Sequence, residues 1–418
     1  MSPRVLIRGG HHSYMLYQLE LLSLVSWENS LNSFISLNEL LYMSISYLEP
    51  EEYDEFMRFL EKCYRHTRDY FPRRYPHVWC KDTVNYENRL ILKVDGKIVS
   101  HVGIFPLKLI VEDCTIPVGG IGGVATLQEY RGRGYMTKLM NAAIEKMKKD
   151  GYPLSVLWGD RQRYGHFGYE NAGKLAYITI SLRSLKIETK AEKIGYSRLD
   201  VDYSKLNVVK QLHEKEPLRL ERDDNFYEKV FKMPGLMTYI AEDDSAYVVH
   251  FGERYGDIIE YGGQPKPLLN LLYSLLADLS KEFGVSSTTV AAPYYPYATF
   301  YELLRASTGM KIGYEAMAKI LNLKKLLEAY RSLIERRCEE IEAEATIKIK
   351  ETGEVVHIEL SKGSVSIESK EKEPIVVLSE RDTIKLLFNG VYEVSAKIPL
   401  ALASVLPLPM HFTSLDHI

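Results

Sequence analysis

The rhythm of hydrophobic and polar positions changes several times along the chain, and each rhythm predicts an element. From Met43, "MSISYLEPEEYDEFMRFLEKCY" reads as a short strand, a turn at Pro50, and a helix with Tyr53, Phe56, Met57 and Leu60 on one face. Between Asn88 and Leu127 three β-rich runs follow: "RLILKV", "IVSHVGIFPLKLIVE" and "TIPVGGIGGVATL". Asp95-Gly96 and Asp113-Cys114 separate them as hairpin turns would, so an antiparallel meander is predicted. Met136, Leu139, Met140, Ala143, Ile144 and Met147 then recur at helical spacing, stopped by Asp150-Gly151 and Pro153, and "LSVLW" predicts a further strand.

A second unit, from about Tyr196 to Gly313, repeats this order. Strands are predicted in "LMTYIAED", "AYVVHFGE", "DIIEYGG" and "STTVAA", with a helix through Leu268, Leu271, Leu272, Leu275, Leu276 and Leu279 before the last. The third unit is expected to open on one charged helix, "LKKLLEAYRSLIERRCEEIEAE". Period-two strands follow at Ile347/Ile349, Val356/Ile358/Leu360 and Val365/Ile367, and a helix capped by Ser379 and ended at Gly390 lies across them. The final "LPLPMHFTSLDHI" has no periodicity, but its apolar content predicts a packed tail. The expected division is an atypical extension at 1–42, then 43–185, 186–313 and 314–418, in an α+β class. The apolar run in the first 42 residues is too short and too charged to span a membrane, and no cleavage site follows it; Met43 is a candidate start, an appended segment the other reading.

Composition narrows the function. With 46% hydrophobic residues the cores are ample, and a net charge of −3 gives no general footprint for nucleic acid. The four cysteines form no CxxC pair, so neither a disulfide framework nor a zinc site is expected, and a reduced, cytosolic setting is. Few glutamines beside many Glu, Lys and Arg form a bias reported for proteins of hot-living organisms.

The candidate chemistry lies at "YRGRGY", residues 130–135. A strand that passes through a glycine loop straight into a helix points free N–H groups and the positive end of the helix dipole at one spot, which suits phosphate. Gly132 and Gly134 allow close backbone approach and Arg131 and Arg133 add charge, yet an ordinary basic turn would read the same.

In its order, meander, RGxG loop, helix, strand, the first unit resembles the GNAT acyltransferases. The signature segment Arg131-Gly132-Arg133-Gly134-Tyr135-Met136 matches theirs except that Met136 stands where Gly or Ala is usual. "WGDRQRYGHFGYENAG", residues 158–173, is similar to the bacterial enhanced intracellular survival branch. That resemblance implies two tandem GNAT-like domains, the second degenerate, then a sterol-carrier-like domain. It implies acetyl-CoA as co-substrate, no metal, a small-molecule or peptide amine as acceptor, and self-association, with hexamers among relatives.

By the same resemblance, Val124, Ala125 and Thr126 would pair with the pantetheine arm and the Val124 N–H would face the oxyanion. Residues Gly132 to Thr137 would hold the pyrophosphate, with Gly159 and Asp160 flanking the cofactor. Tyr164 would be the general acid and the C-terminal carboxylate at Ile418 the base. As residues alone, a packing aromatic is the alternative reading of Tyr164, and Asp160, Asp416 and His417 compete as bases. Tyr169 reads as structural and His166 as surface. The rival reading from another class is a non-catalytic lipid or acyl-CoA carrier built on the last domain; nucleotide binding without acyl transfer lacks a Walker lysine.

Overall fold

The computed structural model describes residues 44–252 and 256–418; the extension at 1–42 and the candidate start at Met43 lie outside them. The meander forms as its turns dictate: β2 (Arg89–Val94), β3 (Lys97–Val111) and β4 (Cys114–Thr126) pair antiparallel, with β1 (Ser44–Tyr47) on the outer edge. The helix Tyr53–Tyr64 buries Tyr53, Phe56, Met57, Phe59 and Leu60 against one face of this sheet. Helix Tyr135–Lys149 covers the same core with Leu139, Met140, Ala143 and Met147, and returns the chain to β5 (Leu154–Leu157), which lies parallel to β4.

The chain then crosses into a second half through β6 (Glu170–Ser181). β7 (Tyr196–Arg198) and β8 (Leu218–Leu220) are short, and β8 adds to β3. β9 (Leu236–Ala241), β10 (Ala246–Phe251) and β11 (Ile258–Gly263) form a second antiparallel meander. Helix Pro265–Phe283 leads to β12 (Ser287–Pro293), which lies parallel to β11, as β5 does to β4. The repeated order read from the sequence is thus visible in the topology. What the sequence did not reveal is that both halves share one sheet, ordered β1-β2-β3-β4-β5-β13-β6-β12-β11-β10-β9-β7. The joining strand, β13 (Ser307–Ile320), pairs with β5 and β6 and runs straight through the boundary expected at 313/314.

The expected long charged helix is two short ones, Leu323–Ala329 and Arg331–Arg337. They meet at Tyr330, whose buried ring sends its hydroxyl to the Pro409 carbonyl at 2.9 Å. The Glu- and Ala-rich text after them is the start of a strand, β14 (Glu342–Ile349), because pairing with β15 (Val355–Ser361) overrides its helical propensity. With β16 (Ser364–Glu368) and β17 (Ile375–Leu378) they make a separate sheet in the order β16-β15-β14-β17. Its apolar face, with Ile347, Val356, Ile358 and Leu360, is filled by Leu326, Leu333, Ile334, Ile384, Leu387 and Leu402 from the surrounding helices. The Ser379 hydroxyl accepts from the Asp382 N–H at 3.0 Å, and the helix Glu380–Asn389 ends at Gly390, as its sequence predicts. No helix among the described residues is long and apolar enough to cross a membrane.

Candidate active site

β4 and β5 pair only from Val118↔Leu154 to Ile121↔Leu157; β5 then ends while β4 continues to Thr126. On the other side, the β3–β4 register slips between His101 and Gly103, whose partners are Ala125 and Gly122. Two residues of β4, Gly123 and Val124, therefore oppose one of β3. Gly123 takes φ +61°, the left-handed geometry that a bulge of this type needs. Burial pushes the His101 imidazole down to about 3, and as a neutral ring it donates from Nδ1 to the Gly123 carbonyl at 2.7 Å, fixing the bulge. The result is a wedge lined by the β4 backbone from Gly122 onward. Ser100 donates to the Ala125 carbonyl at 2.9 Å and lies 2.8 Å from the Thr126 hydroxyl, so both candidate residues are held from the β3 side.

The RGRG loop sits at the end of this wedge. Gly134 is the N-cap of the helix Tyr135–Lys149, with φ +77° and no capping side chain. A Cβ on Gly132 or Gly134 would meet nothing within 4 Å, so the space above the helix N-terminus is open. Arg131, Gly132, Arg133, Gly134 and Thr137 are exposed, Tyr135 is buried and Met136 packs half-buried against the core. The Arg131 Nε donates to the Thr126 carbonyl at 3.2 Å, and the Arg133 guanidinium lies 5.2 Å from the Tyr130 ring centroid. The loop thus keeps its cations beside exposed N–H groups, the chemistry of an anion cradle.

Across the wedge, Asp160 caps the helical turn Arg161–Tyr164 by accepting from the Arg163 N–H at 2.8 Å. Tyr164 is buried, and its ring lies over Gly159: a Cβ there would stand 2.3 Å from Tyr164 Cε2. Burial pushes the phenol up from its ordinary value, with Arg163 pulling the other way, so it stays protonated at neutral pH. Tyr169 is fully buried, its hydroxyl 2.7 Å from Ser155 Oγ, and His166 is exposed.

The Tyr164 turn is clamped from two sides by Glu170. Arg161 binds this carboxylate through both Nε and Nη2, and Arg381 of the third unit reaches it with Nε at 2.9 Å. Burial opposes the charge, but hydrogen bonds from Arg161, the Asn171 N–H and Arg381 hold the carboxyl down at about 2, against an ordinary 4.5. A depressed carboxyl stabilises the fold fully above 4.5 and loses that contribution as pH falls toward 2. We expect the melting temperatures of wild type and Glu170→Gln, followed by calorimetry, to differ most at neutral pH and to converge on acidification. A constant gap would refute the clamp.

The tail brings the last group. Ile418 packs on bare β4 backbone: its carbonyl carbon lies 3.2 Å from where a Cβ on Gly122 would sit, and its Cδ1 2.5 Å from that of Gly120. Upstream, Asp416 is buried and accepts from Arg222 Nε at 2.8 Å, while the His417 ring lies tilted by 36° against Trp158, 4.5 Å between ring centroids. Asp416 is therefore an anchor in this arrangement. Burial lowers the His417 imidazole, with Asp416 opposing.

The structure brings together Val124 to Thr126, the loop, Gly159, Tyr164 and Ile418, all of which the sequence reading named. It adds Tyr64, whose hydroxyl donates to the Val124 carbonyl at 2.9 Å. Burial and the nearby Tyr164 hydroxyl both push its phenol up. Tyr64 extends the Tyr53–Met57–Leu60 stripe by one turn, so in the sequence it looks like packing.

Residues 44–172 match the family model for an acetyltransferase (GNAT) domain. No curated protein matches the sequence. Among solved structures the chain is similar to a GCN5-related N-acetyltransferase from Kribbella flavida, with a TM-score of 0.65 and 16% identity over 90% of this chain and 98% of that one. It is similar to a protein of Enterococcus faecalis described as a probable N-acyltransferase, with a TM-score of 0.65 and 16% identity over 82% and 89% of the two chains. Eis1 from Mycobacterium abscessus gives a TM-score of 0.63 at 13% identity, over 88% and 98%. At these identities the likeness is one of fold. With the wedge, the open loop and the buried phenol at one place, residues 44–172 are a GNAT acetyltransferase domain and the chain is an acyltransferase.

Proposed function

We propose that the chain moves an acetyl group from acetyl-CoA directly to a primary amine of the aminoglycoside, polyamine or lysine type. The observation that carries this is the meeting, at one strand splay, of an anion cradle, a protonated phenol and the Ile418 main chain. In this reading Arg131, Gly132, Arg133, Gly134, Tyr135, Met136 and Thr137 hold the pyrophosphate. The edge of Val124, Ala125 and Thr126, beyond the end of β5, pairs with the pantetheine arm, and Gly159 and Asp160 border it. The amine lone pair attacks the thioester carbonyl and the Val124 N–H stabilises the oxyanion. The carboxylate carried on Ile418 takes the amine proton, and the Tyr164 hydroxyl protonates the departing thiolate as the C–S bond breaks. The buried pairing of Asp416 with Arg222 favours Ile418 over Asp416 as base, with Asp160 the competitor. Self-association, by likeness to relatives, is part of the same proposal.

The carrier reading asks the last unit to hold a lipid, whereas the apolar face of its sheet is filled by side chains. Its contacts instead buttress the site, through Arg381 and the tail.

Calorimetric titration with acetyl-CoA, paired with thiol release on a panel of amines, tests the proposal. We expect saturable binding and turnover on at least one amine. Gly134→Glu, which puts bulk and negative charge into the cradle, should weaken acetyl-CoA binding roughly tenfold or more, equivalent to about 1.4 kcal/mol. Absence of binding by the wild type would leave the loop a basic turn.

A further inference from the structure

We propose that the outer face of the four-stranded sheet carries a site for a divalent cation of the zinc type, built from Glu344, His357 and Glu359. His357 and Glu359 stand two apart on β15, so both project from the same face. Glu344 on β14 is the direct cross-strand partner of Glu359. Two carboxylates placed opposite each other repel, and a cation between them relieves that repulsion. One ligand atom from each of the three residues lies within 4.8 Å of the others. His357 Nε2 is 3.3 Å from Glu344 Oε2, about the separation of neighbouring ligands around a tetrahedral ion with bonds of about 2.0–2.2 Å.

The imidazole is the second, independent pointer. His357 is fully buried, and its Nε2 has no hydrogen-bond partner. Its other nitrogen is assigned by the groups around it. The Thr346 hydroxyl donates to the Lys372 carbonyl and accepts from the Lys372 N–H at 3.2 Å. Toward His357 Nδ1, 3.0 Å away, that oxygen can therefore only accept. Nδ1 thus carries a proton, which leaves Nε2, facing Glu344, as the nitrogen placed to bind a metal. This is the outer-shell hydrogen bond that orients a metal-bound histidine. Histidine with two carboxylates and a water as fourth ligand suits zinc over magnesium or calcium, which prefer oxygen alone. Lys372 is the competitor, since its ammonium binds Glu344; Glu368, opposite His357 on β16, is paired with Lys370 at 2.7 Å. The cysteine pattern gave no hint of this site, because none of its ligands is a cysteine.

The test uses the full chain, freed of metal by chelation and dialysis, titrated with zinc chloride by calorimetry and with cobalt(II) by absorbance. We expect one saturable site, the intense spectrum of four-coordinate cobalt, and a melting temperature that zinc raises. Glu359→Gln, an exposed position whose change does not threaten folding, should weaken binding roughly 10–100-fold and abolish the thermal shift. Lys372→Met should tighten binding, by removing the competing ammonium. The proposal fails if the wild type shows no saturable binding, if cobalt keeps its aqueous spectrum, if Glu359→Gln binds as the wild type does, or if Lys372→Met binds more weakly.

Discussion

Tyr164→Phe lowers kcat by on the order of 10²–10⁴-fold while acetyl-CoA affinity stays at the wild-type level, because the change removes one proton donor and keeps the ring. The ring is what packs over Gly159, so the wedge keeps its shape. Burial holds the phenol above its ordinary value of 10, which places any loss of activity from its ionisation at still higher pH. Steady-state kinetics with a calorimetric measure of cofactor binding checks both halves of the expectation. Full activity in the variant would return Tyr164 to the role of a packing residue. Tyr64, whose hydroxyl also reaches the wedge at Val124, would then become the donor to examine.

The second large effect is expected far from the loop. Arg222 lies buried between two carboxylates, donating to Glu260 at 3.0 and 2.6 Å and to Asp416 at 2.8 Å, with the Thr413 hydroxyl 3.0 Å from Nη2. Burial works against the charges on Arg222 and Glu260, but their attraction, with Asp416 beside the guanidinium, keeps Glu260 ionised and Arg222 firmly protonated. Arg222→Met leaves two buried carboxylates without their cation, and we expect a loss of about 3–5 kcal/mol in denaturant unfolding. The deficit should shrink on acidification, as the stranded Glu260 carboxyl, held low only by Arg222, takes up a proton. Because Asp416 fixes the path of the last residues, turnover should fall as well, even where the variant is folded. A destabilised protein with full turnover would show that Ile418 reaches the wedge without this anchor.

These two residues mark where the sequence was legible and where it was not. Tyr164 was singled out by the resemblance that the "YGHFGY" string carries, and the loop by its glycines, because both are short stretches that can be read without distant partners. Arg222 carries no such signal: its partners are 38 and 194 positions away. Tyr64 and His101 were equally silent. One looks like the next turn of a helical stripe and the other like a residue of a strand, yet together they shape the wedge at Val124 and Gly123.

By itself the sequence determined the local grammar. The turn at Asp95-Gly96, the strand periods around it, the helix after Gly134 and the cap at Ser379 all follow from spacing and backbone preference, while the second hairpin turn falls at Glu112-Asp113, one residue earlier than Asp113-Cys114. Tertiary structure decided what local preference could not. It drew "EAE", residues 342–344, out of a helical reading into β14, where pairing with β15 outweighs propensity. It threaded β13 through an expected domain boundary to close one sheet across both halves. It also laid Ile418 on the bare backbone of Gly120 and Gly122, some 300 residues away in the chain. Contacts of that range depend on the packing of the whole molecule, and no window of sequence contains them.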